Sequence, residues 1–191
     1  MNAMKNLRFA LVLVVAVIAC AWPAAAQQQR ISPHETISTV VGGNRVTIVY
    51  GRPYTKDPKT GEMRKIWGGL VPYGKVWRTG ADEATLLITQ QPIELGGATI
   101  PAGAYTLRTL PTEGVTKLIV NKQIGQWGIS GDPKATYDEA LDVARIDLKK
   151  DTLEHPVDQF TISLEKNPSG NGTLKLMWEK TQYSTTFNVK K

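Results

Sequence analysis

The chain has 191 residues, of which 41% are hydrophobic and 21% are charged, and it contains one cysteine and two histidines. Its net charge of +6 is mild and evenly spread, which argues against a nucleic-acid partner. So few cysteines and histidines exclude a multi-histidine or cysteine-rich metal centre, and we predict neither a metal nor a cofactor.

The N-terminus predicts a secretory signal peptide. Lys5 and Arg8 precede an unbroken apolar run over residues 9–19, and an Ala-x-Ala site ends at Ala26. The apolar run is shorter than the roughly 20 residues that a membrane-spanning helix needs. We therefore expect cleavage of residues 1–26 and a periplasmic or secreted mature chain, residues 27–191, without a transmembrane segment.

Cys20 leaves a second possibility open, because the residues before it loosely resemble a lipoprotein cleavage site. Ile18 is bulky for such a site, so we favour soluble export over a lipid anchor. Cleavage after Ala26 would leave a mature chain without cysteine, which excludes disulfides and a thiol nucleophile.

Most of the mature chain alternates between apolar and polar residues in short runs separated by Gly, Pro or Asn, which predicts antiparallel strands. The predicted strands are 36–41, 45–50, 84–89, 92–95, 103–110, 115–121, 143–148, 159–165, 174–179 and 183–189. A helical turn or two is expected at 137–144, with Asp132 or Thr136 as its cap and Pro133 near its start. About nine or ten strands at this spacing predict an all-β, single-domain β-sandwich with minor helix.

Several connections are predicted as loops. The polar segment 54–65, which contains Pro and Gly, is expected to be an exposed loop, and 167–172 is expected to join two strands. His155 precedes Pro156 and is assigned to a loop, while His34 lies near the mature N-terminus. We expect both histidines at the surface.

Three irregular segments could carry binding residues: Tyr50–Pro53, Trp67–Thr85, and Trp127 together with Asp142–Arg145. Arginine side chains could hold an anion through planar, bidentate donors, and Trp or Tyr rings could supply flat faces for a sugar or an aromatic ring. The candidate binding residues are Arg52, Tyr73, Trp77, Arg78, Asp82, Glu83, Trp127, Asp142 and Arg145.

Each candidate also has a structural explanation. Trp77 and Trp127 could close the ends of the sandwich. Arg52 and Arg78 could form structural ion pairs with nearby carboxylates. The adjacent carboxylates Asp82–Glu83 would point to opposite faces if they lay on a strand, and would then not act together.

Six segments in order carry a resemblance to a known family: Ser32-Pro33, Tyr50–Pro53, Leu70–Thr85, Pro101–Leu107, Trp127-Gly128 and Asp142–Arg145. In them the chain resembles the domain of unknown function 2911 family of exported bacterial proteins, over about residues 32–189. It departs at Asp82, where the family usually has Asn, and at 55–64, where the family has a shorter connection. The resemblance implies an exported single domain with a functional surface at 70–85, and it implies no activity.

The chain lacks a Gly-x-Ser-x-Gly elbow, a phosphate-binding glycine loop and a His-Glu-x-x-His motif. The leading hypothesis is therefore a non-catalytic module that binds a small polar or anionic ligand, or a cell-envelope component. A second hypothesis is a hydrolase or isomerase that uses Asp82, Glu83 or Asp142 as acid or base. A third is a structural partner in an envelope assembly, which predicts an apolar patch or an open sheet edge and no pocket.

Overall fold

The computed structural model describes residues 30–127 and 136–190, and these residues fold almost entirely as antiparallel strands. The strands are β1 His34–Val41, β2 Asn44–Gly51, β3 Thr85–Thr89, β4 Ile93–Leu95, β5 Ala98–Ile100, β6 Gly103–Leu110, β7 Lys117–Asn121, β8 Asp142–Asp147, β9 Lys149–Lys166 and β10 Gly172–Val189. The predicted all-β fold with nine or ten strands is confirmed. The expected signal peptide, with Cys20, and the expected helix start at Asp132 and Pro133 lie outside the described residues.

The strands form two antiparallel sheets. One has six strands in the order β1-β2-β3-β6-β7-β8, and the other has four in the order β5-β4-β10-β9. Val41 pairs with Asn44 across a two-residue turn. Gly42 and Gly43 occupy that turn with φ values of 56° and 82°, as a tight turn matched to the twist of the strands requires.

The core lies between the two sheets. Along β2, Val46, Ile48 and Tyr50 are buried and alternate with more exposed residues. Along β10, Leu174, Leu176 and Trp178 are buried in the same alternating way. Because residues at a period of two share one face of a strand, each sheet presents an apolar face, and the two faces pack together as a β-sandwich.

The longest strands differ from the prediction. β9 and β10 have 18 residues each, whereas the sequence predicted shorter strands and a loop around Pro156. That loop prediction is wrong: Pro156 lies within β9, in a bulge between the pairs Thr152–Thr181 and Val157–Glu179. A bulge at the edge of a sheet accommodates proline, because the missing N–H leaves no ladder hydrogen bond unmade. Glu179 opposite the bulge has a φ of 52°.

The helical prediction is only partly correct. A 3₁₀ turn covers Glu139–Leu141, and Ala140 N donates to the Asp138 side chain, which caps the turn. β8 begins immediately afterwards, where the sequence had suggested that the helix would continue. Among the described residues, no helix has the length and apolar character needed to cross a membrane.

Candidate functional site

A cleft of about 370 Å³ opens between the irregular segment before β3 and the segment that follows β2. A cavity of this size lies within the range of small-molecule sites. Its charged lining residues are Asp57, Lys59, Arg64, Arg78 and Asp82, and its aromatic lining residues are Tyr54, Trp77 and Trp178. The cleft therefore combines three basic groups, two acidic groups and flat aromatic surface.

One wall is the segment 78–82, which is pressed against the end of β2. A Cβ on Gly51 would lie 2.3 Å from the Ala81 carbonyl oxygen, and one on Gly80 would lie 2.9 Å from the Gly51 oxygen. Thr79 and Asp82 have φ values of 59° and 61°. Left-handed backbone costs a β-branched residue such as Thr79 on the order of 1–3 kcal/mol, so the surrounding packing must hold this wall in place.

The opposite wall is the segment 54–64. Its backbone folds back on itself through a bridge between Lys56 and Met63. The Thr55 N–H donates to the Asp158 oxygen of β9 at 2.7 Å, and the Thr55 hydroxyl accepts from Trp178 Nε1 at 3.0 Å. The segment is mostly exposed, as the sequence predicted, but it is also a tethered hairpin that supplies a wall of the cleft.

Trp77 joins the cleft to the core. Its ring stacks on Trp178 at a centroid distance of 5.9 Å and an interplanar angle of 24°. It also meets Phe160 edge-on at 5.0 Å and Trp67 edge-on at 6.2 Å. Such pairs contribute about 0.5–1.5 kcal/mol each beyond the area they bury. Trp77 thus has the predicted structural role and also lines the cleft.

Arg78 lies in the cleft with its charge only partly compensated. Its side chain lines the cleft, and its Nε is buried without a hydrogen-bond acceptor among the described residues. Burial lowers the pKa of Arg78, and the negative charge of Asp82 offsets this only in part. A desolvated guanidinium without full pairing is costly, and a bound anion would relieve that cost.

Arg108 adds a second buried positive charge nearby. It is 1% exposed, and its Nε also finds no acceptor in the described ranges. It donates to the Thr136 carbonyl and lies over the Tyr137 ring, 5.2 Å from the centroid. Burial lowers the pKa of Arg108, and the charge of Arg78 lowers it further. Sequence analysis missed Arg108 because it lies in a regular strand position of β6.

His34 and Glu83 meet Asp82 at the edge of the cleft. His34 Nε2 lies 3.3 Å from Asp82 Oδ2 and 3.3 Å from Glu83 Oε2. Asp82 and Glu83 precede β3, so the condition under which they would point to opposite faces is not met, and Asp82 has left-handed backbone. His34 is a surface residue as predicted, although its side chain is only 24% exposed.

Arg52 is a brace outside the cleft lining. Its guanidinium donates to the Phe160 oxygen at 3.2 Å and to the Thr161 hydroxyl at 2.9 Å, and it pairs with Glu35 at 3.3 Å. These contacts connect the end of β2 and the start of β1 to β9 in the other sheet. Arg52 forms a structural ion pair, and its partner Glu35 was not identified from the sequence.

Asp142 and Arg145 form a separate cluster. Arg145 donates to Asp142 at 2.8 Å and to the Tyr137 hydroxyl at 2.9 Å, and it pairs with Glu139 at 2.8 Å. Asp142 also accepts from the Tyr137 hydroxyl and the Asn121 amide at 2.7 Å each. The cluster ties β8 to β7 and to the 3₁₀ turn, and neither Asp142 nor Arg145 lines the cleft.

Tyr73 and Trp127 lie elsewhere. Tyr73 is 37% exposed and packs against Gly68, where an added Cβ would lie 2.9 Å from the ring. Trp127 is 53% exposed and forms an isolated bridge with Glu83. The structure therefore brings Trp77, Arg78 and Asp82 together in one cleft, and it places the other six candidates outside the lining: Arg52, Tyr73, Glu83, Trp127, Asp142 and Arg145.

Sequence reasoning missed Tyr54, Lys59 and Arg64, which line the cleft from the hairpin wall. Two basic residues in a segment containing Pro and Gly were the available signal, but such residues are common in solvated loops. Nothing in the local sequence showed that β9 and Trp178 would hold the segment over Arg78.

Comparison with protein families gives one match. The model of a family described as a protein of unknown function (DUF2911) matches residues 32–187, which is most of the chain. No curated protein and no solved structure matches it.

Proposed function

The chain belongs to the DUF2911 family, and on that premise we propose that it is an exported, non-catalytic module whose cleft binds a small anionic ligand. The proposal rests on the environment of Arg78. Its guanidinium is half-buried and lines the cleft, and its Nε has no hydrogen-bond partner among the described residues. A carboxylate or phosphate oxygen matches the planar donors of arginine.

The neighbouring charges favour an anion. Lys59 and Arg64 line the cleft opposite Arg78, and Arg108 contributes positive charge behind it. Arg64 reaches its carboxylate partner Asp57 only at 3.9 Å, so that pair is loose. A solvated ion pair at this distance contributes little to stability, so a ligand can readily replace it.

The aromatic side chains of the cleft indicate which kind of anion it should prefer. Trp77 and Tyr54 offer flat apolar surface beside Arg78. A ligand that combines an anionic group with an aromatic ring or a sugar face would use both parts of the cleft. We therefore expect an aromatic phosphate or carboxylate to bind more tightly than inorganic phosphate.

Export is supported by the sequence alone. The basic start, the apolar run and the Ala-x-Ala site all precede residue 32, where the family match begins. Mass spectrometry of the protein from a bacterial host would test this. A mature N-terminus at Gln27 in the periplasm or medium is expected, and an intact N-terminus in the cytoplasm would contradict export.

Ligand binding is tested by calorimetry and thermal shift with phenyl phosphate, benzoate, inorganic phosphate and neutral methyl glucoside. A ligand at 100 times its Kd stabilises the folded state by about 2.7 kcal/mol. We expect phenyl phosphate to bind and Arg78→Met to abolish the binding. Arg145→Met is the matched control, because it removes the same charge from the cluster outside the cleft.

Equal loss of binding in Arg78→Met and Arg145→Met would contradict the proposal, and so would equal binding of all four compounds. Failure of every anion to bind the folded wild type would also contradict it.

Carboxylate-dependent hydrolysis or isomerisation remains the second candidate, and one observation favours it. Asp82 lines the cleft with the His34 imidazole 3.3 Å away, so an acid and a potential base are adjacent. Asp142, by contrast, accepts hydrogen bonds from three side chains and lies outside the lining. Turnover of phenyl phosphate or a phenyl ester that Asp82→Asn abolishes would replace the binding-only proposal.

A further inference from the structure

His34, Asp82 and Glu83 form a compact set of three possible metal ligands. His34 Nε2 is 3.3 Å from each partner oxygen, and the three ligand atoms all lie within 4.8 Å of one another. We propose that this triad binds a divalent first-row transition-metal ion of the zinc and manganese type. The triad adjoins the cleft, because Asp82 also lines it, but the metal proposal does not rest on anion binding at Arg78.

The spacing of the three atoms matches a coordination sphere. Nitrogen and oxygen ligands bind such ions at about 2.0–2.2 Å, so adjacent ligands of a tetrahedral or octahedral ion lie roughly 3.0–3.5 Å apart. Both distances of 3.3 Å from His34 fall in this range. An ion can be accommodated if the side chains shift to bring all three ligand atoms, which lie within 4.8 Å of one another, to these distances.

The ligands come from two separately anchored segments. His34 is the first residue of β1, and the backbone there is fixed by a hydrogen bond of 2.8 Å from Arg52 N to the Pro33 oxygen. Asp82 follows the wall that packs against Gly51, where the Ala81 N–H donates to the Gly51 oxygen at 3.2 Å. Ligands on well-held backbone give a preorganised site, because little conformational entropy is lost when the ion binds.

The charges and ligand types indicate the class of ion. Two carboxylates beside one imidazole present a net negative charge, which a divalent cation neutralises. An imidazole nitrogen favours zinc or iron over calcium or magnesium, which prefer oxygen ligands, and the two carboxylates also suit manganese. The side chains of His34, Asp82 and Glu83 are 24%, 25% and 36% exposed, so solvent reaches the site. Three protein ligands leave further coordination positions for water or a ligand.

The second histidine provides a control within the same chain. His155 lies in β9, 3.9 Å from Glu154, and these side chains are 87% and 90% exposed. Because the chain has only two histidines, any imidazole effect belongs to one or the other. His155→Ala therefore reports on weak surface binding and His34→Ala on the triad.

The test is calorimetric titration of the purified protein, without a histidine tag and after treatment with chelator, using Zn²⁺ and Mn²⁺ with Ca²⁺ and Mg²⁺ for comparison. We expect one Zn²⁺ site per chain. Loss of a metal-supporting residue outside the coordination sphere costs about 10–100-fold in affinity, so loss of the ligand itself in His34→Ala should cost at least about 100-fold. His155→Ala should leave the Zn²⁺ affinity unchanged.

If His34→Ala does not fold, two further measurements still test the proposal. Asp82→Asn removes one charge at nearly constant shape, and Asn tolerates the left-handed backbone, so this variant should fold and lose Zn²⁺ affinity. In the wild type, Mn²⁺ should broaden the imidazole NMR signals of His34 at concentrations that leave those of His155 sharp.

Equal Zn²⁺ affinity in wild type and the folded triad variants would overturn the proposal, as would equal broadening of both histidines. These titrations contain no phosphate or other anionic probe, so failure of anion binding at Arg78 does not affect their outcome.

Discussion

The cleft and the cluster around Asp142 contain the same kinds of side chain, but their arginines differ in how completely they are paired with acceptors. In the cluster, Arg145 has acceptors on Asp142, Tyr137 and Glu139. In the cleft, Arg78 is more deeply placed, yet its Nε meets no acceptor within the described ranges. Residue type alone does not distinguish a structural brace from a candidate site, whereas the pairing of the buried charge does.

The pKa shifts of the two arginines run in opposite directions. Burial alone would lower the pKa of Arg145, but its hydrogen bond to Asp142 and the surrounding charges raise it overall. Burial lowers the pKa of Arg78, and Asp82 compensates only in part. The cluster stabilises the charge of Arg145 with protein groups, whereas in the cleft the charge of Arg78 is only partly compensated by Asp82.

The largest expected loss of stability comes from Gly51→Ala, which disrupts the cleft and leaves the cluster around Asp142 intact. In Gly51→Ala the new methyl group would lie 2.3 Å from the Ala81 oxygen, a backbone atom that cannot rotate away. We expect a loss of about 3 kcal/mol in the free energy of unfolding, measured by urea denaturation, because overpacking against backbone forces the wall to move. Gly114→Ala is the control, since its Cβ would meet nothing closer than 3.8 Å. Equal stability of the two variants would refute the close contact.

A smaller effect is expected when the cluster is broken. Asp142→Ala leaves Arg145, Tyr137 and Asn121 without a shared acceptor, and the Asp142 side chain is only 12% exposed. We expect a loss of about 2 kcal/mol in unfolding free energy, with phenyl phosphate affinity unchanged. Asp147→Ala on the same strand should cost under about 1 kcal/mol, because that side chain is 64% exposed in its pair with Lys117. A fall in phenyl phosphate affinity would show that the two regions are coupled.

Removing the charge of Arg78 from the cleft should change stability less than Asp142→Ala does. Arg78→Met keeps much of the side-chain volume and removes a poorly paired buried charge. We expect its unfolding free energy to stay within about 1 kcal/mol of the wild type, because replacement of such a charge by an apolar group is often neutral or stabilising. Urea denaturation without added anions measures this. A loss as large as that in Asp142→Ala would make Arg78 a brace.

The smallest expected effect is a change in how stability declines at alkaline pH, and it arises from Tyr137 in the cluster around Asp142. Burial, together with the hydrogen bond to Asp142, raises the pKa of Tyr137 from 10.0 to about 12. The unfolded chain therefore loses this proton before the folded protein does. The stability linked to Tyr137 is complete below pH 10 and is lost as the pH rises through about 12.

Tyr137→Phe should accordingly show a smaller decline in unfolding free energy over that range, measured by urea denaturation at several pH values. Tyr50, whose pKa is also raised by burial and by its hydrogen bond to Glu35, is present in both proteins and cancels in the comparison. Parallel declines in the two proteins would contradict the assignment to Tyr137.

Strand positions could be predicted from the sequence because burial imposes a period of two. Strand β2, predicted at 45–50, lies at Asn44–Gly51, and its buried residues alternate with more exposed ones. The lengths of β9 and β10 could not be predicted, because Pro156 ordinarily ends a strand and only the bulge opposite Glu179 allows β9 to continue. The short strand β5 was missed because three residues carry too little pattern.

The site could be predicted only in part. Trp77, Arg78 and Asp82 share one unusual segment, and the structure does place them in one cleft. The approach of His34 to Asp82 depends on long-range pairing across 48 residues and on left-handed backbone at Asp82. Neither feature leaves a local signal, since nothing in the sequence around Asp82 specifies the turn that directs its carboxylate.

The edge of β9 has features that oppose aggregation at high protein concentration. An open strand edge is a template on which another chain can add and begin aggregation. Here Pro156 offers no N–H, the bulge between Thr152 and Val157 disrupts the ladder, and Glu154 and His155 project charge and polarity into solvent. Farther along, the Thr55 N–H already occupies the Asp158 oxygen. The proline that obscured the strand in the sequence is thus one of the features that make this edge a poor template for another chain.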